Sequence, residues 1–341
     1  MVDLSPSHAL RWGSRDNPSR NTTDKSNLRT KNVRMAVENL DEAPQRWPLR
    51  KRLEFIDFRL FWNRRVNRGD IRDTFDISVQ QASSDLAQYE RLAPQNMEYD
   101  RGLKTYVRTS SYKPALIEQS SERFLLQLVA IDNGWMQRDE TWFDFSEVPP
   151  LDVTTIKRTP TSSRVLLGVL DAIRDKTLIT IEYRSLTENA DAPRTIAPHA
   201  IFYNSGRWYA RAYSVEHEEF RDYNLNRIAD FRRAGPTPVD VDLDYGWSHT
   251  LDLEIGPNPE LPRIQQDGVA VEYGMTDNRL VCPVRLSMAF YLMSEHNLDV
   301  EPGKLHPSKQ QLVLLNREIV DQTMKATRLL SKQAIRRALG K

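Results

Sequence analysis

Between Ser78 and Gln88 the chain concentrates side chains made for hydrogen bonding but nearly free of charge: Ser78, Gln80, Gln81, Ser83, Ser84 and Gln88. A carboxamide both donates and accepts, so it can pair with an adenine edge, and a short hydroxyl suits several bases. That is chemistry for reading a duplex. A second concentration lies between Tyr183 and Arg227, where arginine and tyrosine recur at Arg211, Tyr213, Arg221 and Tyr223. Guanidinium forks grip phosphate bidentately and tyrosine rings offer stacking surfaces for bases. The chemistry of turnover is missing. There is no glycine-rich phosphate loop of Walker form and no nucleophile elbow, and the histidines (His8, His199, His217, His249, His296, His306) have no metal-ligand spacing with one another or with Cys282. The acidic pair Glu218-Glu219 reads as a solvated strand end. No catalytic residue, metal or cofactor is expected, and the chain is not expected to be an enzyme.

The reading run needs a helix to present it. Ser78-Val79-Gln80-Gln81 has the form of a capping box, with Ser78 accepting from the amide of Gln81 and Gln81 reaching back. Val79, Ala82, Leu86 and Tyr89 are then the buried stripe, and the helix stops near Leu92-Ala93-Pro94. Before it, Leu49, Leu53, Ile56 and Leu60, widened by Phe55, Phe58 and Trp62, mark a helix from Trp47, and Gly69 to Phe75 a short one. After it, Met97 to Arg108 alternates around Gly102 as a β-hairpin. Three helices and a hairpin make a winged helix-turn-helix over residues 46–110. Arg101, Lys104 and Arg108 put positive charge on the wing, and Arg65 joins Arg101 and Lys104 as a candidate phosphate contact.

A chain of 341 residues is expected to hold two or three domains. With 39% hydrophobic and 28% charged residues it reads as a globular protein, and no apolar run approaches the roughly 20 residues that span a bilayer. One cysteine and no apolar leader predict a cytoplasmic home without membrane contact. Residues 1–110 hold 20 Lys/Arg against 15 Asp/Glu, whereas the rest hold 28 against 32, so the positive excess sits beside the duplex-reading run. Residues 1–45 read as a mobile basic arm. Residues 111–160 read as a helical and aromatic linker with dimer contacts: a helix from Ser121 to Ile131, then Trp135, Trp142, Phe143 and Phe145 packing between domains, with a boundary at Pro149-Pro150.

A helix from about Ser162 leads into four strand-like runs, Leu178–Arg184, Thr195–Tyr203, Arg207–Ser214 and Phe220–Phe231, with Asn204-Ser205-Gly206 as a tight turn. Short consecutive antiparallel strands predict a small, strongly bent barrel over 161–234. In its third run Tyr209, Arg211 and Tyr213 share a face; in the fourth, Arg221, Tyr223, Leu225 and Arg227 do. Because unpaired guanidinium groups are costly to bury, these faces predict an anion pocket rather than a core.

The runs Ile181-Glu182-Tyr183-Arg184-Ser185, Ile196-Ala197-Pro198-His199, Gly206 to Tyr213 and Phe220 to Ile228 resemble the WYL domain of bacterial transcription regulators. The naming tripeptide stands as Trp208-Tyr209-Ala210, with alanine in place of leucine. The tail over 235–341, through Thr250–Gly256, Tyr273-Gly274-Met275 and Val284 to Tyr291, looks like the extension that accompanies such domains. The order winged helix, WYL, extension is similar to regulators beside BREX and CBASS anti-phage operons. The resemblance implies an α+β multidomain chain with an Sm-like barrel and an α/β extension that dimerises. It also implies a pocket for a nucleotide or nucleic-acid effector, formed by Tyr183, Ser185, His199, Arg211, Tyr213, Arg221 and Arg227. The expected function is a homodimeric repressor on an inverted repeat of double-stranded DNA. Two alternatives stay open: an activator of the same architecture, and a nucleic-acid-sensing effector module with no operator.

Overall fold

The computed structural model describes residues 47–154, 156–186 and 192–341, so the arm expected over 1–45 lies outside the described residues. The chain divides between Lys157 and Arg158 into two units.

In the N-terminal unit α1 (Trp47–Trp62) is followed by β1 (Arg65–Val66), α2 (Arg68–Phe75), α3 (Val79–Leu92) and the hairpin β2 (Met97–Asp100) and β3 (Thr105–Arg108). Asn67 caps α2 and Ser78 caps α3, each accepting the backbone N–H three residues on. Leu53, Phe55, Ile56 and Leu60 of α1 meet Ile71, Ala82, Leu86, Tyr89 and Met97 in one core. β1 was not expected. Its two residues pair with β3, Arg65 opposite Val107 and Val66 opposite Tyr106, giving the sheet order β1-β3-β2.

One buried carboxylate ties this unit together. Asp57, fully buried on α1, accepts from the hydroxyls of Tyr89 and Tyr112 and from the backbone N–H groups of Ala115, Leu116 and Ile117, the last three at 2.8, 2.7 and 3.1 Å. Burial, and then the carboxylate's charge, push both tyrosine hydroxyls well above the usual range, so they remain donors. The stretch after the wing, the start of the segment expected to be a linker with dimer contacts, is therefore fastened to α1. The aromatics beyond it follow the same course: Phe124 of α4 (Ser121–Asp132) stacks on Trp62 at 4.1 Å and Phe143 on Phe58 at 5.6 Å. Residues expected to pack between domains thus pack within this one. Trp135 stays 70% exposed.

The C-terminal unit begins with α5 (Ser163–Asp175), which lies over a five-stranded antiparallel sheet of β4 (Thr177–Tyr183), β5 (Arg194–Asn204), β6 (Arg207–Ser214), β7 (Glu219–Asn224) and β8 (Ile228–Pro236). The sheet order is β7-β6-β5-β4-β8. β7 and β8 sit at opposite edges yet follow each other through a 3-10 turn at Leu225–Arg227, so the sheet must curl, as an Sm-like barrel requires. The single run expected over 220–231 is two strands. Asn224 breaks it, its side chain accepting the N–H of Asn226 at 2.9 Å. Val165 and Val169 of α5 pack with Ile179, Ile181, Ile196, Ala210, Ala212 and Tyr223. Gly168 admits no side chain there, because a Cβ would stand 2.0 Å from the Phe231 ring.

The remainder folds as α6 (Tyr245–Ser248), β9 (Thr250–Pro257), α7 (Arg263–Glu272), β10 (Leu280–Arg285), α8 (Leu286–Glu295), β11 (Leu312–Leu314) and α9 (Arg317–Ala338), with sheet order β10-β9-β11. Leu253, Ile255, Met293, Leu298 and Val320 form its core. The last helix turns back onto the barrel, where Ile335, fully buried, packs with Ala197, Tyr213 and Val239.

Candidate nucleic-acid interface and effector cavity

The buried side of α3 is Ala82, Asp85, Leu86 and Tyr89. Val79, expected there, is 45% exposed, and a carboxylate takes the place in its stead. Asp85 can be buried because Arg52 of α1 meets it at 2.6 and 3.2 Å. Gln81 Nε2 also donates to Asp85, at 2.9 Å, and so does not reach back to Ser78. Only the first half of the capping box forms, with the Gln81 amide donating to Ser78 Oγ at 3.1 Å.

Ser78 is occupied as the cap, Ser83 donates to the carbonyl of Val79 at 2.9 Å, and Gln81 is held by Asp85. Gln88 is half-buried. Gln80 and Ser84 are exposed and make no hydrogen bond among the described residues, and exposed Val79 and Ala87 share their side with apolar surface. A helix face of one amide, one hydroxyl and small apolar groups matches base edges and thymine methyls. At the wing tip Asp100 Oδ1 accepts from Gly102 and Leu103, at 2.8 and 2.9 Å, and Lys104 takes a left-handed φ of 52°. Arg101 and Lys104 are exposed there without an ion pair among the described residues. Two other arginines are engaged. Arg108, expected on the wing, turns inward and donates to the Phe61 carbonyl at 2.8 Å, and Arg65 pairs with Glu147.

The arginine-rich faces of the barrel are less open than the alternation predicts. Arg211 is 9% exposed, with Nε and Nη2 on Asp244 at 2.8 and 2.9 Å and Nη1 on Asp222 at 3.0 Å. His199 Nε2 lies 2.9 Å from the same Asp244, and Tyr291 donates to Asp222 at 3.0 Å. Burial raises the Asp244 carboxyl, but the hydrogen bonds from His199 and Arg211 reverse this and hold it below the usual carboxylate range. Tyr213, Tyr223 and Leu225 are buried in apolar surroundings. The counter-charge that lets Arg211 go inside comes from a residue 33 positions away, which inspection of one strand cannot reveal.

A cavity of about 420 Å³ nevertheless opens between β6, β7, α8 and α9. Of the seven candidate pocket residues, Arg211 and Arg221 line it; His199 reaches it only through Asp244, and Tyr183, Ser185, Tyr213 and Arg227 do not line it. Sequence reading missed Ser287, Tyr291, Arg328 and Lys332 of its wall. The spacing of Arg328 and Lys332, four apart on one helix, was the available signal. Ser287 Oγ is buried there without a hydrogen-bond partner among the described residues. Glu219 is not the solvated strand end expected: it is 8% exposed, between Arg221 at 2.6 Å and Arg328 at 3.0 Å. Burial works to raise its pKa, yet these partners hold it below the usual range.

Family models match the chain in three places: the BrxR transcriptional regulator winged helix-turn-helix domain at residues 48–130, the WYL domain at 164–233, and the BrxR transcriptional regulator C-terminal dimerization domain at 250–320. Three proteins named DNA-binding transcriptional repressor CapW are similar along most of their length. The one from Stenotrophomonas maltophilia is 31% identical over 293 residues, covering 86% of this chain and 97% of that protein. Those from Pseudomonas aeruginosa and Escherichia coli (strain KTE188) are each 32% identical, over 275 and 283 residues, covering 80% of this chain and 91% of each relative. No helix among the described residues is long and apolar enough to cross a membrane. With winged helix, WYL and dimerization domains in that order, and relatives above 30% identity matched nearly end to end, the chain belongs to the CapW and BrxR family of transcriptional regulators, a family of regulators and not of enzymes.

Proposed function

We propose that this protein is a sequence-specific DNA-binding repressor that sits as a homodimer on an inverted repeat and controls an anti-phage defence operon. The observation that carries the reading is the pairing of two unoccupied surfaces in one small unit: the uncharged face of α3 at Gln80 and Ser84, and the wing cations Arg101 and Lys104. The first is suited to base edges and the second to phosphates. The names of the relatives support repression over activation.

Titration of a labelled duplex from upstream of the protein's own gene tests the two roles separately. Gln80→Ala is expected to weaken operator binding about 5- to 150-fold while leaving random duplex binding unchanged, since one good amide contact discriminates by about 1–3 kcal/mol. Lys104→Ala is expected to weaken both duplexes alike and to lower the salt slope by about 1. Equal loss on both duplexes for Gln80→Ala would remove α3 as the reading helix.

The cavity beside β7 is proposed as the effector site. Its cations Arg221, Arg328 and Lys332 and the unpartnered Ser287 hydroxyl suit a phosphate-bearing nucleotide or short nucleic acid. Such a ligand alters repression by favouring one arrangement of the dimer.

A further inference from the structure

The segment matched to a dimerization domain must carry a self-complementary surface, and the edges of its sheet are poor candidates. β11 is three buried residues, and β10 carries Pro283, which has no N–H to offer an added strand. The helices remain, and α7 has a face that nothing among the described residues covers. Its inner side is fixed by Val269, 7% exposed. On the outer side Ile264 and Val271 are 80% and 82% exposed, more than any other large apolar side chain between 250 and 320. Seven residues apart, they stand two turns from each other on one stripe. Gly268 lies between them, and a Cβ there would meet nothing within 4 Å.

Resting on the homodimer reading, we propose that α7 packs against α7 of a second copy of this chain, antiparallel, about a two-fold axis between Asp267 and Gly268. The spacing is self-complementary about that point. Ile264 meets the partner's Val271, Val271 meets the partner's Ile264, and the glycines let the backbones approach at the crossing. Arg263 and Asp267 share one margin of the stripe, so the same axis brings each arginine toward the partner's Asp267 and offsets the approach of the two aspartates. Large exposed aliphatics otherwise without purpose become the centre of an isologous contact.

The test uses the full chain in analytical ultracentrifugation. Wild type is expected to be a dimer at micromolar concentration, and Ile264→Asp with Val271→Asp to self-associate at least 100-fold more weakly, with unchanged circular dichroism because both positions face solvent in the protomer. Register is tested in a Cys282→Ser background. Ile264→Cys with Val271→Cys is expected to give a covalent dimer on mild oxidation, whereas Val271→Cys alone gives none, its two copies lying about 10 Å apart along the axis. A dimer that survives the double aspartate variant, or cross-linking as efficient with the single cysteine, overturns this interface and leaves the homodimer reading intact. A monomeric wild type overturns both.

Discussion

Asp57→Ala is expected to unfold the N-terminal unit under conditions in which the wild-type chain is folded. The substitution deletes the acceptor for two tyrosine hydroxyls and three backbone N–H groups at once. A buried donor left without a partner costs about 1–3 kcal/mol, so even with water recovering part of each, the loss is on the order of 5 kcal/mol. That equals the whole stability of many small domains. Operator binding is expected to vanish with the fold, and proteases to cut in the 112–117 stretch that the carboxylate fastens. Asp57→Asn keeps the volume and one acceptor oxygen, so it is expected to lose less. A urea melt of Asp57→Ala indistinguishable from wild type would show that the clamp holds nothing.

The second large effect is at Arg211, where the alternation of β6 predicts a side chain held ready for an effector. On that view Arg211→Ala leaves folding untouched and abolishes only the response to a ligand. The geometry leads elsewhere. Removing the guanidinium strands Asp244, 1% exposed, and Asp222 without their principal counter-charge, and breaking a buried pair from one side costs about 3–5 kcal/mol. The C-terminal unit is expected to melt earlier by that amount, and Asp244→Asn to rescue part of the loss in the double variant. The pH dependence has a definite sign. The folded Asp244 carboxyl titrates below its unfolded value near 3.8, so its stabilisation is complete above that value and disappears as pH falls through the lower folded pKa. Acid unfolding of wild type should therefore begin below about pH 4, and Asp244→Asn should flatten that limb. Arg221→Ala, half-exposed on the cavity wall, is expected to keep the fold. A melt of Arg211→Ala matching wild type would return Arg211 to the role the strand pattern suggests.

Much of the architecture was legible because the signals were local. The helix stripes from Trp47, the cap at Ser78 and the hairpin around Gly102 rest on spacing within a dozen residues, and the structure places α1, α3, β2 and β3 there. β1 escaped because two residues have no period; only pairing with β3 makes them a strand. The site was legible in kind but not in membership. Whether Gln81 faces a groove depends on Asp85, and whether Asp85 can be buried depends on Arg52, 33 residues earlier. Arg211 depends likewise on Asp244. Long-range charge pairing leaves no periodic trace, so reading strands one at a time overestimates how many donors are free for a ligand.

Hydroxyl-radical footprinting of the full-length protein on the DNA upstream of its own gene decides whether α3 reads an inverted repeat. Two protected half-sites related by inverted symmetry are expected, their centres one or more helical turns apart at about 10 base pairs per turn, with both protections lost together in Gln80→Ala and Ser84→Ala. Uniform weak protection along the duplex, unaltered by those substitutions, would contradict that role for α3.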